Sequence, residues 1–220
     1  MVQVNMETHL LGANELLARR NRQLFKDHKV LVINLMSSPG SGKTTILERT
    51  IEALGGQLRL GVIEGDLYTD QDAQRIEKKG VKVIQINTEG ACHLDAAMVG
   101  KAYGQLPTDK MDLMVIENVG NLVCPAEFDL GEDFTAVVIS TTEGNDKLRK
   151  YPLIFRQAKA VLLNKMDLLP YTDFNLERFK NDLDQINPSA TVFMVSGRTG
   201  EGIENWTRWV FEEVKRKNPF

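Results

Sequence analysis

Nine residues, Ser37-Ser38-Pro39-Gly40-Ser41-Gly42-Lys43-Thr44-Thr45, restrict what this chain can fold into more than any other stretch. They follow an apolar run, Val30 to Met36, and open a helical pattern from Thr44 to Leu54. Strand, glycine-rich turn and helix in that order are the setting of a phosphate-binding loop. Gly40, Ser41 and Gly42 make the tight turn whose backbone N–H groups approach phosphate oxygens. The new helix adds unpaired amides and the positive end of its dipole. Lys43 is expected at the β- and γ-phosphates and the Thr44 hydroxyl on Mg²⁺, with Thr45 beside it. Ser37 stands where the strict pattern has its first glycine, a departure that a serine tolerates if its φ is negative.

Apolar runs recur along the chain at Leu58–Ile63, Val81–Ile86, Leu113–Ile116, Ala136–Ser140, Ala160–Leu163 and Thr191–Val195. Helical patterns separate them at a segment ending at Lys79, Asp95–Tyr103, Leu153–Ala158, Leu176–Ile186 (stopped by Pro188) and Ile203–Lys217. Short apolar strands alternating with helices predict a three-layer α/β domain around a mainly parallel sheet. Ligands of such sheets sit beyond the carboxyl ends of the strands, where the motifs of this chain fall. Residues 7–27 carry leucines at helical spacing among basic residues, an amphipathic helix preceding the nucleotide domain. The division expected is a helical extension over 1–28 and a nucleotide-binding domain over 29–220.

Asn164-Lys165-Met166-Asp167 follows the strand Ala160–Leu163 and resembles the guanine-selecting element of GTPases. The Asp167 carboxylate can accept N1–H and N2–H of guanine, donors that adenine lacks there, and a buried carboxylate left facing no donor would penalise ATP. Lys165 lays its stem on the base and Asn164 braces the loop. Ser196-Gly197-Arg198-Thr199-Gly200 resembles the last GTPase motif, whose backbone amide meets guanine O6. Glu117-Asn118-Val119-Gly120 stands where small GTPases carry Asp-x-x-Gly. Its acid is expected at Mg²⁺, and Gly120 admits the backbone to the γ-phosphate. Asp66, closing the second strand, is the first candidate for positioning water or binding Mg²⁺, with Asp72 the second. Asn121 replaces the water-positioning glutamine, which predicts slow turnover until a second protein or subunit completes the site.

Cys92-His93 and the distant Cys124 are the remaining chemistry. Two cysteines make no disulfide framework, and thiol beside imidazole suits Ni²⁺ or Zn²⁺. A helix start at Cys92 would favour its thiolate. From spacing alone, two buried cysteines and a surface histidine account for the same residues. Three ligands fall short of the four of a closed structural zinc site, so pooled ligands from two subunits or an open position are needed.

The sequence Asn14…Arg19-Arg20-Asn21-Arg22, the phosphate loop, Glu64-Gly65-Asp66, Cys92-His93-Leu94-Asp95-Ala96, Glu117 through Pro125 and Glu143-Gly144-Asn145-Asp146-Lys147 together resemble the hydrogenase maturation GTPases of the HypB family. The resemblance covers almost the whole chain. It implies a cytoplasmic GTPase that dimerises with GTP and helps deliver nickel to the [NiFe]-hydrogenase large subunit, with a HypA-type nickel chaperone as partner. It assigns the metal ligands to Cys92, His93 and Cys124. Residues 1–5 hold no cysteine, and His9, His28 and His93 are the only histidines, so this site is the one expected to take metal. Two neighbouring readings change the client to urease or a cobalamin enzyme. The cysteine–histidine placement opposes the cobalamin type, and the missing Cys-Pro-His motif the urease type. A third reading is a nucleotide-clamped scaffold in which hydrolysis is incidental. A net charge of −3 gives nucleic acid or an anionic membrane no hold, and no apolar run nears the roughly 20 residues that span a bilayer.

Overall fold

The computed structural model describes residues 6–66, 71–88, 90–107 and 111–218. Glu89 and the cysteine-free stretch 1–5 lie outside them, as do the side chains of residues 6–10, His9 among them. Helix α1 (Met6–Asp27) leads into strand β1 (Leu31–Ser37) and helix α2 (Lys43–Leu54). Then come β2 (Leu60–Asp66), α3 (Gln71–Glu77), β3 (Lys82–Asn87), α4 (Ala96–Tyr103), β4 (Leu113–Gly120) and β5 (Phe134–Ser140). Two short helices, α5 (Lys147–Lys150) and α6 (Pro152–Gln157), precede β6 (Ala158–Asn164), α7 (Leu176–Ile186), β7 (Thr191–Met194) and α8 (Ile203–Lys217).

The strands form one parallel sheet in the order β3-β2-β4-β1-β5-β6-β7. β1 therefore lies at the middle, paired to β4 on one side and β5 on the other. The chain winds outward from β1 in both directions, which opens a crevice at the carboxyl ends of these central strands. Two strands outrun their apolar cores. The run Leu113–Ile116 continues to Gly120, and the run ending at Ile63 continues to Asp66. Glu117 is thus inside β4 instead of at its exit, and it faces Glu64 of β2 as its register partner. Ladder hydrogen bonds fix the backbone of both acids whatever their side chains prefer.

Alternation along β1 sorts the core into layers. Leu31, Ile33 and Leu35 face Ile46, Leu47 and Ile51 of α2, Ile76 of α3, and Trp206 and Val210 of α8. The other face of the sheet holds two apolar clusters. Val30 and Val32 pack with Phe25 of α1 and with Val99 and Tyr103 of α4. Met36 packs with Ile154 and Phe155 of α6 and with Phe179 and Leu183 of α7. Between them β1 presents Asn34, fully buried. Its amide donates to Glu132 Oε1 at 3.0 Å and its carbonyl oxygen accepts from Asn118 Nδ2 at 3.2 Å. Thr135 Oγ1 and the Leu130 amide also donate to Glu132. Burial pushes the Glu132 carboxyl upward. This seam is satisfied at each end, as it must be, because one orphaned group there would cost about 1–3 kcal/mol.

Helix α1 lies against α4 and the loop before β5. Phe25 meets Tyr103 edge to face at 4.8 Å, and Arg22 forks onto both oxygens of Asp129 at 2.7 and 2.8 Å. No helix among the described residues is long and apolar enough to cross a membrane.

Candidate nucleotide and metal site

The loop between β1 and α2 turns through Gly40 at φ 73° and Gly42 at φ 93°, left-handed values that favour glycine. A Cβ on Gly42 would also stand 2.4 Å from Asn164 Nδ2. Ser37, at the end of β1, is not among the residues with positive φ, so serine fits where the pattern has glycine. Ser41 is fully buried; its hydroxyl and amide both return to the Ser38 carbonyl. Ser38 Oγ donates to Glu143, whose other oxygen caps the Ser140 amide at 2.8 Å. The loop is thereby tied to the end of β5. A cavity of about 320 Å³ lies over it, lined by Lys43, Thr44 and Thr45, by Glu64 and Asp66 of β2, by Asp72 and Arg75 of α3, and by Gly120.

Glu117 lies buried behind Lys43 and Thr44 of this lining. Its Oε1 accepts from Thr44 Oγ1 at 2.6 Å and lies 3.1 Å from Lys43 Nζ. Its Oε2 is buried with no hydrogen-bond partner, and so is Glu64 Oε2. Burial, and then the Glu117 and Asp66 carboxylates, push the Glu64 carboxyl up to about 8. Two buried carboxylate oxygens left open beside a threonine hydroxyl are the donor set of a hard divalent cation, so Thr44 and Glu117 fit Mg²⁺. Asp66 lines the same cavity at the end of β2. Asp72 is held by Arg75 at 2.8 Å, and Arg75 also reaches Glu48 at 2.7 Å. Glu64 and Arg75 were not anticipated as site residues. An acid at the end of an apolar run reads as the strand's exit to solvent, and only its pairing with Glu117 reveals it as buried.

On the far side of the loop, Asn164 joins three segments. Its Nδ2 donates to Ser41 O at 2.8 Å, and its Oδ1 accepts from the Gly197 amide at 2.9 Å. Lys165, in left-handed geometry at φ 60°, extends its ammonium to Gly40 O at 2.7 Å. Its stem therefore crosses from the base-side loop to the phosphate loop. Ser196 Oγ donates to Asp167 Oδ1 at 2.6 Å and accepts from the Thr199 amide. Arg49 of α2 fixes the carbonyls of Gly197 and Arg198 at 3.1 Å each. Asp167 is half-buried, not buried as expected, so water reaches its carboxylate.

Cys92, His93 and Cys124 converge, their ligand atoms all within 4.8 Å of one another. Cys92 Sγ lies 3.7 Å from His93 Nδ1, and the imidazole stacks on Phe128 at 3.8 Å between ring centroids. The expected helix-start thiolate does not hold. Helix α4 begins at Ala96 behind an Asp95 cap, and the adjoining Cys124 thiol, with burial, pushes the Cys92 thiol up. Burial pushes His93 down, toward the neutral imidazole a metal requires. Asn121 faces this cluster, not the phosphates: its amide donates to Cys92 O at 3.2 Å.

The family model for the CobW/HypB/UreG nucleotide-binding domain matches residues 31–194. The hydrogenase maturation factor HypB of Azotobacter chroococcum mcd 1 is 51% identical over 207 residues, 94% of this chain and 68% of that one. The crystal structure of HypB from Helicobacter pylori in complex with nickel aligns with a TM-score of 0.88 at 38% identity, covering 93% of this chain and 96% of that one. That of the hydrogenase maturation factor HypB from Archaeoglobus fulgidus aligns at 0.86 and 38% identity, over 92% and 99%.

Gly42→Ala will force an L-residue into left-handed geometry against Asn164, a strain of about 1–2 kcal/mol. Calorimetric titration with GDP should show affinity lowered about tenfold or more. Unchanged affinity would mean that this loop does not hold the nucleotide. For Glu64 the folded pKa lies above the unfolded one. The folded state keeps a proton that the unfolded chain has released, and this group's contribution to stability drains as pH rises from about 4.5 to about 8. Melting temperatures of the nucleotide-free protein across that window should fall with pH more steeply than those of Glu64→Gln, which stays neutral throughout. Parallel curves would refute the shift.

Proposed function

Because this chain belongs to the CobW/HypB/UreG family, within its HypB branch, and carries a P-loop GTPase-type fold, we propose that it is a GTP-hydrolysing switch that assists nickel insertion during maturation of [NiFe]-hydrogenase. The single observation that carries this reading is the continuity of one segment. Glu117, holding Lys43 and Thr44, lies in β4, and the same strand runs on through Gly120 into the turn that carries Asn121 and Cys124. A change at the phosphates is felt at the thiol through a few residues of backbone.

The roles follow from the geometry. Lys43 rests on Glu117, and the β- and γ-phosphates would offer it a stronger partner and free Glu117 Oε1. Mg²⁺ entering with the nucleotide would be held by Thr44 and Glu117 with Asp66 near by, and supplies neutralisation of the phosphate charge. Burial raises Glu64 most, and a cation held there would offset the Glu117 and Asp66 charges that add to it, favouring the Glu64 carboxylate. Asp66 positions the attacking water, and Asp72, tied to Arg75, is the second acid. Gly40, Ser41, Gly42 and Thr45 cradle the phosphates. Asn164, Lys165, Asp167, Ser196, Gly197 and Arg198 shape the guanine end. Nickel is cargo at Cys92, His93 and Cys124, and Zn²⁺ suits the same donors. Three ligands per chain leave the coordination open, which favours a site completed across a GTP-driven homodimer or by a nickel chaperone of the HypA type. The client is the hydrogenase large-subunit precursor, and the setting is the cytoplasm.

Guanine selection is tested by Asp167→Asn. The asparagine offers a donor where guanine also has donors, so GDP affinity should drop by about 100-fold or more while xanthosine diphosphate binds better than to the wild type. Retained GDP affinity would displace Asp167 from the base. Coupling between the two ends is tested by nickel affinity in the nucleotide-free, GDP and non-hydrolysable GTP states. The wild type should differ between states by a factor of about 5–150, and nickel should change nucleotide affinity by the same factor. Cys124→Ala should remove the difference. Equal wild-type affinities in all three states would refute the switch.

A further inference from the structure

The likeness to the HypB family includes residues of α1 that neither the nucleotide nor the metal reading uses, and their side chains are unusual. Asn14 and Asn21 are each more than nine-tenths buried, on the same helix face as the apolar Ala18 and Phe25. Asn14 takes the Ala96 amide on Oδ1 at 2.8 Å and donates Nδ2 to the Asp129 carbonyl at 2.8 Å. Asn21 spends its Nδ2 on the Ala96 carbonyl at 2.8 Å and the Leu130 carbonyl at 3.0 Å. Each side chain therefore joins two segments that are remote in sequence. One is the stretch Cys92–Ala96; the other is the loop running from Cys124 through Phe128 to Leu130. These segments supply the three ligands and the ring on which His93 stacks.

Two further amides grip the first segment from the nucleotide side. Asn118 Oδ1 accepts from the Leu94 amide at 3.3 Å, and Asn121 Nδ2 donates to the Cys92 carbonyl. Two glycines make room for α1. A Cβ on Gly100 would meet Asn21 Oδ1 at 2.7 Å, and one on Gly131, at φ +91°, would meet the Ala18 carbonyl at 2.6 Å. Close approach of α1 is thus built into the chain just beyond each segment, at Gly100 of α4 and at Gly131.

We propose that α1 is a positioning element of the metal site: Asn14 and Asn21 staple the Cys92–His93 segment to the Cys124–Phe128 segment and so set the spacing of the ligands. The staple rests on the reading of Cys92, His93 and Cys124 as metal ligands. Asn14 and Asn21 touch no ligand atom; they act through the backbone, as partners that orient a ligand do. With Asn118 holding the same segment from β4, the site is suspended between the nucleotide strand and α1. A load on α1 changes metal affinity without touching either cysteine.

Two substitutions cut the staple. Asn14→Asp keeps the acceptor for the Ala96 amide and sets an oxygen against the Asp129 carbonyl. Gly100→Ala gives α4 a better helix former and displaces Asn21. Nickel(II) alone is titrated into the full nucleotide-free chain, following affinity and the thiolate-to-nickel charge-transfer band, with GDP affinity as the measure of an intact domain. Both variants should lose about tenfold in nickel affinity and shift the band while binding GDP as the wild type does. Leu16→Ala, on the exposed side of α1, should change neither. If one variant loses GDP binding, its nickel result reports unfolding and the other decides. Wild-type affinity and an unshifted band in the folded variants overturn the staple. A wild type without any nickel band overturns the metal reading beneath it, and the staple with it.

Discussion

A carboxylate buried in the middle of a parallel sheet organises this molecule. Glu117 is 1% exposed, inside β4, with one oxygen engaged by Lys43 and Thr44 and the other without a partner. Placing a second acid, Glu64, directly across the strand pair makes this arrangement expensive for an isolated protein. Removing charge from water costs several kcal/mol per ion unless it is paired, and like charges add to that. The protein meets the cost by leaning Lys43 on Glu117 and by raising the Glu64 carboxyl toward its neutral form.

The fold was largely readable in the sequence because its determinants are local. The strand–glycine loop–helix succession, the apolar runs and the Asn164–Asp167 element each declare themselves within a few residues. Spacing alone left Cys92, His93 and Cys124 open to a bland reading; the family resemblance grouped them as ligands, and the ligand atoms do meet. What was not legible depends on register. Glu64 looked like an exit residue until its pairing with Glu117 fixed it inside. Asp167 was expected to be buried, and the open mouth of the crevice leaves it half-exposed. Cys92 was expected to profit from a helix start, yet Asp95 takes the cap and α4 begins beyond it. Asn34 carried a visible signal, an amide within an apolar strand, whose meaning came only with its partners Glu132 and Asn118.

Amide side chains recur wherever segments of this protein must be held at a fixed distance. Asn164 ties the phosphate loop to the Gly197 turn, Asn14 and Asn21 tie α1 to two loops, and Asn118 ties β4 to the segment before α4. Asparagine suits this work because a short, planar group carries both donor and acceptor, and it stays neutral when buried. The apolar layers supply cohesion; these amides supply the spacing that a chemical site requires.

The seam formed by Asn34, Glu132 and Asn118 also bears on how such a domain can be altered by recombination. It parts the apolar packing of one sheet face into two clusters, one built on α1 and α4 and the other on α6 and α7. Hydrophobic surfaces from a related protein can be interchanged if their volumes agree, because dispersion contacts are forgiving of partner identity. Hydrogen-bonded amides are not, since each must find its complement. A chimera joining the two halves across this line will be accepted or rejected by three polar residues, however well the greasy surfaces on either side fit.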